Sequence, residues 1–215
     1  MIMSSLLVKS GLSLVAGFAM SSCGVQDDYA SGGYGKDPQP AEPSPALIAK
    51  TVTYKKDKHG MASYKDSDRK RYVRTTSFSH MEKEPGAPGR KNAAGTILKY
   101  GKNVRSAAAD WSVYPLGTKF KIKGQPYTYV VDDYGSALAN TNTIDIFKPT
   151  LKGMRDWGTR NVEITVVQWG CYERSRRLLK GRRGYWHCRD MYNKIVKKVR
   201  SGNYAKLEND NMDAL

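Results

Sequence analysis

Three aspartates stand in settings unlike an ordinary charged surface. Asp110 lies in Ala107-Ala-Ala-Asp-Trp-Ser-Val-Tyr-Pro-Leu-Gly-Thr118, Asp133 in Val130-Val-Asp-Asp-Tyr-Gly135, and Asp145 in Asn142-Thr-Ile-Asp-Ile-Phe147. Asp145 alternates with Ile144 and Ile146, so on a strand its carboxylate shares the opposite face with Thr143 and Phe147. A carboxyl beside an aromatic ring is partly desolvated, which disfavours the charged form and raises its pKa. That is the property a general acid needs near neutral pH. The competing reading is an aspartate on the exposed face of an edge strand. Asp132-Asp133-Tyr-Gly is first a turn signal, because an Asp side chain bonds nearby backbone, and Asp110 can cap the turn before Pro115. Two carboxylates converging on one site push their pKa values apart, so one keeps its proton where the other is charged.

The elements that must position these groups read as strands. Tyr72 to Phe78 is β-branched and aromatic, and Thr118 to Lys123 alternates with Phe120 and Ile122 on one face. Tyr127 to Val131, Thr143 to Phe147 and Val162 to Val167 add three more, with turns at Pro115-Leu-Gly117 and Gly124-Gln-Pro126. One short helix is expected over Leu151 to Trp157. Short strands with irregular turns predict an all-β domain, a small barrel over residues 71–169, rather than a βαβ fold. Residues 170–215 form a basic C-terminal extension. Its Arg174, Arg176, Arg177, Lys180, Arg182 and Arg183 read as a solvated face. Arg189 to Arg200 reads as a helix whose Met191, Ile195, Val196 and Val199 pack on the barrel. Residues 23–70, with the proline-rich run from Lys36 to Pro45, read as a flexible tether without specific contacts.

In their order along the chain these motifs resemble the 3D (Asp-Asp-Asp) domain, the catalytic barrel shared by membrane-bound lytic transglycosylase A and stationary-phase wall lytic proteins. The resemblance extends more distantly to rare lipoprotein A. It runs from about Thr75 to Val167. Gly95-Thr-Ile-Leu98 resembles the early glycine–leucine turn, and Asp110 with Pro115-Leu-Gly-Thr118 the aspartate and its following turn. Asp133-Tyr-Gly135 and Ile144-Asp-Ile-Phe147 resemble the second and third aspartate motifs. The resemblance implies a six-stranded double-psi β-barrel. It implies Asp145 as catalytic acid, Asp133 as supporting carboxylate and Asp110 as third member, with Asp132 competing for the role of Asp133. The implied activity is cleavage of the N-acetylmuramic acid to N-acetylglucosamine linkage of peptidoglycan, and glycan strands are the implied partner. Trp111, Tyr134, Thr143 and His80 are the expected substrate contacts. The rival reading is a non-catalytic peptidoglycan-binding module on the same barrel. No metal or organic cofactor is expected.

The N-terminus supplies an address. The apolar run from Gly11 to Met20 suits a signal-peptide core and is short for a bilayer span. Residues 1–22 therefore read as a lipoprotein signal peptide, because Met20-Ser-Ser-Cys23-Gly24 resembles a bacterial lipobox. An acylated Cys23 would anchor the chain to a membrane facing the periplasm, and Gly24 after it favours the outer membrane. Outside the cytoplasm a Cys171–Cys188 disulfide is permitted, and it is preferred here over a pair of free thiols. His187 beside Cys188 lacks four-ligand metal spacing. The net charge of +16 calls for an anionic partner. Charge and aromatics over Tyr172 to Tyr192 would suit nucleic acid, but the export signal argues against it, so no nucleic acid is expected.

Overall fold

The computed structural model describes residues 37–82, 89–202 and 204; the signal segment and Cys23 lie outside the described residues. Six strands close into a barrel: β1 (Lys70–Phe78), β2 (Val104–Ala109), β3 (Lys119–Ile122), β4 (Thr128–Asp133), β5 (Ile144–Phe147) and β6 (Arg160–Gln168), in the order β1-β5-β2-β4-β3-β6. The pairs β1–β5 and β2–β4 are parallel and the other four antiparallel. The expected barrel with helices after it is therefore the fold. Alternation supplies the interior: Phe120 and Ile122, Val131, Ile144 and Ile146, and Val162, Ile164 and Val166 all meet in one buried cluster. Closure leaves no sheet edge unpaired.

One strand escapes a reading by residue type. β2 is Val-Arg-Ser-Ala-Ala-Ala, and alanine favours helices. Here β2 is wedged between β4 and β5, with Ala107, Ala108 and Ala109 all buried. Tertiary pairing overrides propensity, and small side chains suit a strand crowded from both sides.

The C-terminal extension holds two helices, α3 (Tyr172–Lys180) and α4 (Trp186–Arg200), after α1 (Pro45–Lys50) and α2 (Leu151–Trp157). The arginine run of α3 covers its outer side. Tyr172 and Leu179 of α3 join Cys188, Met191 and Ile195 of α4 in the barrel's own core. The expected disulfide is not formed: Cys171 and Cys188 are both free thiols. Cys171 instead caps α3, its sulfur accepting from Arg174 N at 3.3 Å. Cys188 faces the core from α4, where its thiol meets the Tyr134 hydroxyl.

Gly170 lets the extension press against the barrel. A Cβ there would lie 2.3 Å from Leu116 O, 2.4 Å from Pro115 O and 2.5 Å from Thr118 N. Gly170→Ala is accordingly expected to cost about 1–3 kcal/mol through overpacking, measured as a lower urea midpoint at unchanged slope.

From Asp37 onward, the stretch read as tether lies on the barrel. Ala41 N donates to Lys123 O at 2.9 Å, and Ser44 N donates to Glu163 Oε2 at 2.8 Å. Asp37 itself enters a buried cationic pocket, receiving Arg105 Nη1 at 2.8 Å and Lys148 Nζ at 2.6 Å. A proline-rich composition does not disclose this, because the attraction resides in residues 68 and 111 positions further along.

Candidate functional site

Barrel register brings two of the three aspartates into one lateral row. Thr76 on β1 pairs with Asp145 on β5, Asp145 pairs with Ala108 on β2, and Ala108 pairs with Asp133 on β4. Residues paired across strands project to the same side of a sheet. With strands about 4.8 Å apart, the two aspartates stand roughly 10 Å from each other at the backbone, with only the Ala108 methyl between them.

A bulge decides which aspartate takes the β4 position. The register steps from Ala107↔Val131 to Ala108↔Asp133, so Asp132 is the extra residue. Asp132 turns to other partners: its Oδ2 receives Ser106 Oγ at 2.7 Å and Lys99 Nζ at 3.2 Å. Asp133 Oδ1 receives Ala93 N at 3.0 Å and Tyr134 N at 2.9 Å.

Both row carboxyls hold protons unusually well. Burial pushes Asp145 up to about 6, against the pull of the Thr76 hydroxyl on its Oδ1 at 2.7 Å. The negative charge of Glu82 raises it further and Arg74 opposes. Burial pushes Asp133 up to about 7, against its two backbone donors, and the charges of Asp132 and Asp145 add to the rise. Two acids that exchange protons around pH 6–7 can serve as acid and base near neutrality.

The remaining expected site residues separate by position. Asp110 is buried and outside the row. Its carboxylate receives Ser112 N at 2.8 Å, Ser112 Oγ at 2.6 Å and Asn140 N at 2.7 Å, which ties two turns together. Burial raises its pKa against those donors. Trp111 is fully buried. Its indole donates to Asp133 O at 2.9 Å and meets the Tyr134 ring edge-on at 4.9 Å, so it supports Asp133 from behind and offers no face to a ligand. Tyr134 is half-buried, with its hydroxyl receiving Arg182 Nη1 at 3.3 Å. Thr143 is buried two residues from Asp145 on β5's side of the barrel wall, and its Oγ1 has no hydrogen-bond partner among the described residues. His80 packs its ring 5.8 Å from Phe147, and burial lowers its pKa, helped by the charge of Arg90.

Two contributors escape sequence reasoning. Thr76 sits in a run read only as strand, and nothing local says that it pairs with Asp145. Arg182 was read as part of a solvated cluster, yet its Nη1 donates to Ala93 O at 2.8 Å, on the residue whose amide holds Asp133. Among the described residues no three His, Cys, Asp or Glu side chains gather as a metal cluster.

Residues 105–168 match the 3D domain family. The matched part of the 3D domain runs from β2 to the end of β6 and contains Asp110, Asp133 and Asp145. β1 with Thr76 lies before it, and α3 and α4 follow it. Among solved structures, the chain is similar to an apo form of a single-residue variant of the Escherichia coli lytic transglycosylase MltA, at 21% identity and a TM-score of 0.30. That match covers 35% of this chain and 26% of the other. A second structure of MltA from Escherichia coli matches at 22% identity and a TM-score of 0.30, over 38% of this chain and 28% of that one. The matched part of the chain thus spans about a quarter of the length of these MltA structures. No curated protein matches the chain.

Proposed function

We propose that this 3D domain cleaves peptidoglycan glycan strands as a lytic transglycosylase, with Asp145 as the acid/base. The observation that carries the reading is the Thr76–Asp145–Ala108–Asp133 row, with two carboxyls titrating near 6 and 7. Protonated Asp145 donates to the glycosidic oxygen between N-acetylmuramic acid and N-acetylglucosamine as the bond from that oxygen to the anomeric carbon breaks. The resulting Asp145 carboxylate then takes the proton of the muramyl sugar's own primary hydroxyl. That oxygen bonds the anomeric carbon and closes an anhydro ring. Asp145 ends without a net change, and no water is consumed. A hydrolytic glycosidase would instead use its second carboxyl to form a glycosyl intermediate or to activate water. Asp133 stands beside the acid as a second buried carboxyl, and the charge of ionised Asp145 raises its pKa, so Asp133 keeps its proton while Asp145 works. The net charge of +16 suits an anionic wall polymer. An anchor at Cys23, facing the periplasm, would hold the domain beside its substrate.

Digestion of purified sacculi with mass spectrometry of the released muropeptides tests this. Anhydromuramyl ends are expected. Reducing ends alone would make the protein a hydrolase, and binding without release would make it a glycan-binding module. The pH profile is a second check. Activity that needs protonated Asp145 falls as pH rises through about 6. The Thr76 hydroxyl stabilises the ionised form, so Thr76→Val should move this alkaline limb to higher pH, visible in kcat/KM measured between pH 4.5 and 8.5.

A further inference from the structure

Among the described residues two aromatic side chains are exposed, and both lie at the start of α4. Tyr185 is 67% and Trp186 54% exposed. They do not stand alone. The His187 ring centroid lies 5.9 Å from Tyr185, 5.6 Å from Trp186 and 5.8 Å from Tyr134. Tyr134 follows Asp133 in the chain and gives its amide to that carboxylate. A line of rings therefore leads from Tyr134, the residue after Asp133, out to solvent at Tyr185 and Trp186.

We propose that this line is a saccharide-binding platform, on which the rings of Trp186 and Tyr185 take the apolar C–H faces of successive pyranose units of a glycan strand. The proposal rests on the cleavage reading and names a substrate subsite for it. A pyranose ring has one face of axial C–H bonds and a rim of hydroxyls, so it packs on a flat aromatic face while its rim stays in water. Tyrosine and tryptophan supply that face with few rotatable bonds to order. The charge around the rings fits the same occupant. Arg183 and Arg189 are exposed beside them and form no ion pair with a carboxylate among the described residues. They suit a strand whose side groups bear carboxylates. A lipid surface would use the same cations. However, the turn Gly181–Gly184 exposes no aliphatic side chain to insert, and the line of rings runs back to Tyr134 rather than outward over a flat face. Exposed rings contiguous with a site are a mark of binding rather than of packing.

The platform has a built-in reporter. The other three tryptophans, Trp111, Trp157 and Trp169, are at most 5% exposed, so acrylamide quenching of intrinsic fluorescence reads Trp186. Chitotetraose, an uncharged β-1,4-linked N-acetylglucosamine oligomer, should protect the full-length protein from quenching in a saturable manner. Tyr185→Ala should raise the half-saturating concentration by roughly tenfold, the size of one lost stacking ring, at unchanged Tm. No protection at any chitotetraose concentration overturns the proposal. Protection by phosphatidylglycerol vesicles without protection by chitotetraose also overturns it, in favour of a membrane contact. The two readings fail separately. If sacculi are not cut while chitotetraose still protects, the platform stands and cleavage fails. If cleavage keeps its KM in a Tyr185→Ala/Trp186→Ala variant and the wild type shows no protection, the platform fails and cleavage stands.

Discussion

Exchange of Asp145 for asparagine is expected to lower muropeptide release from sacculi by about 10²–10⁴-fold, the range a positioned acid/base contributes. Asparagine keeps the shape and still accepts the Thr76 hydroxyl, but it has no proton to transfer to the glycosidic oxygen. The same substitution should not weaken the fold, and a second measurement checks this. Burial raises Asp145 to about 6, so the folded state prefers the protonated form. The stabilising effect of that preference is fully present below the ordinary carboxyl pKa near 3.9 and is lost as pH rises through about 6. Above that point the buried charge weighs on the native state. Asp145→Asn removes the charge, so its urea midpoint should exceed the wild type's at pH 8 and approach it near pH 4. Undiminished anhydro products from the variant would remove Asp145 from the mechanism. A variant less stable than wild type at pH 8 would make the carboxylate a structural group.

Asp37→Asn should produce the largest loss of stability, roughly 3–5 kcal/mol, because it leaves two buried cations without their counter-charge. Arg105 and Lys148 have side chains only 5% and 3% exposed. Aromatic rings wall them in: the Arg105 guanidinium lies 4.0 Å from the Tyr100 centroid and 3.3 Å from that of Tyr127, and Lys148 Nζ lies 4.6 Å from Trp157. The Asp37 carboxylate bonds both cations and receives the hydroxyls of Tyr100 at 2.7 Å and Tyr127 at 3.2 Å. Burial alone would raise its pKa, but the bonds from Arg105 and Lys148 prevail and hold it well below the usual carboxylate range. A depressed value stabilises the fold above the ordinary carboxyl pKa near 3.9, and the contribution disappears as pH falls through the folded value. Wild-type stability should therefore drop on acidification below about pH 4, and Asp37→Asn should lack that component. Urea unfolding at pH 7 and pH 3 measures both. A loss under about 1 kcal/mol at pH 7 would mean that water replaces the carboxylate and that the N-terminal segment is only loosely docked.

The alternation of Phe120 with Ile122, of Val162, Ile164 and Val166, and of Ile144 with Ile146 was enough to predict strands, a barrel and the face on which Asp145 lies. Hydrophobic period is a local property, and each of these strands has one face turned to a core. β2 and α3 were not readable in the same way. Three alanines carry no strand signal, and the arginines of α3 hide the helical spacing of Tyr172, Ser175 and Leu179. The site divides along the same line. Asp145 and Asp133 were legible as residue types in unusual company. The turn-capping reading of Asp110 was legible too, but that Thr76 bonds Asp145, that Arg182 braces the loop holding Asp133, and that Asp110 also ties in the turn at Asn140 were not.

The sequence by itself determined which side chains point inward, and so a small barrel with Asp145 on the strand face opposite Ile144 and Ile146. Only the tertiary structure decided which strands lie side by side, and with them the row that joins two acids across Ala108. A single extra residue in β4 moves Asp133 into that row and turns Asp132 toward Ser106 and Lys99. It likewise docked Asp37 between two distant cations and left Cys171 and Cys188 as separate thiols. Period along one strand specifies a face, whereas register, bulges and long-range charge pairing depend on the free energy of the assembled whole.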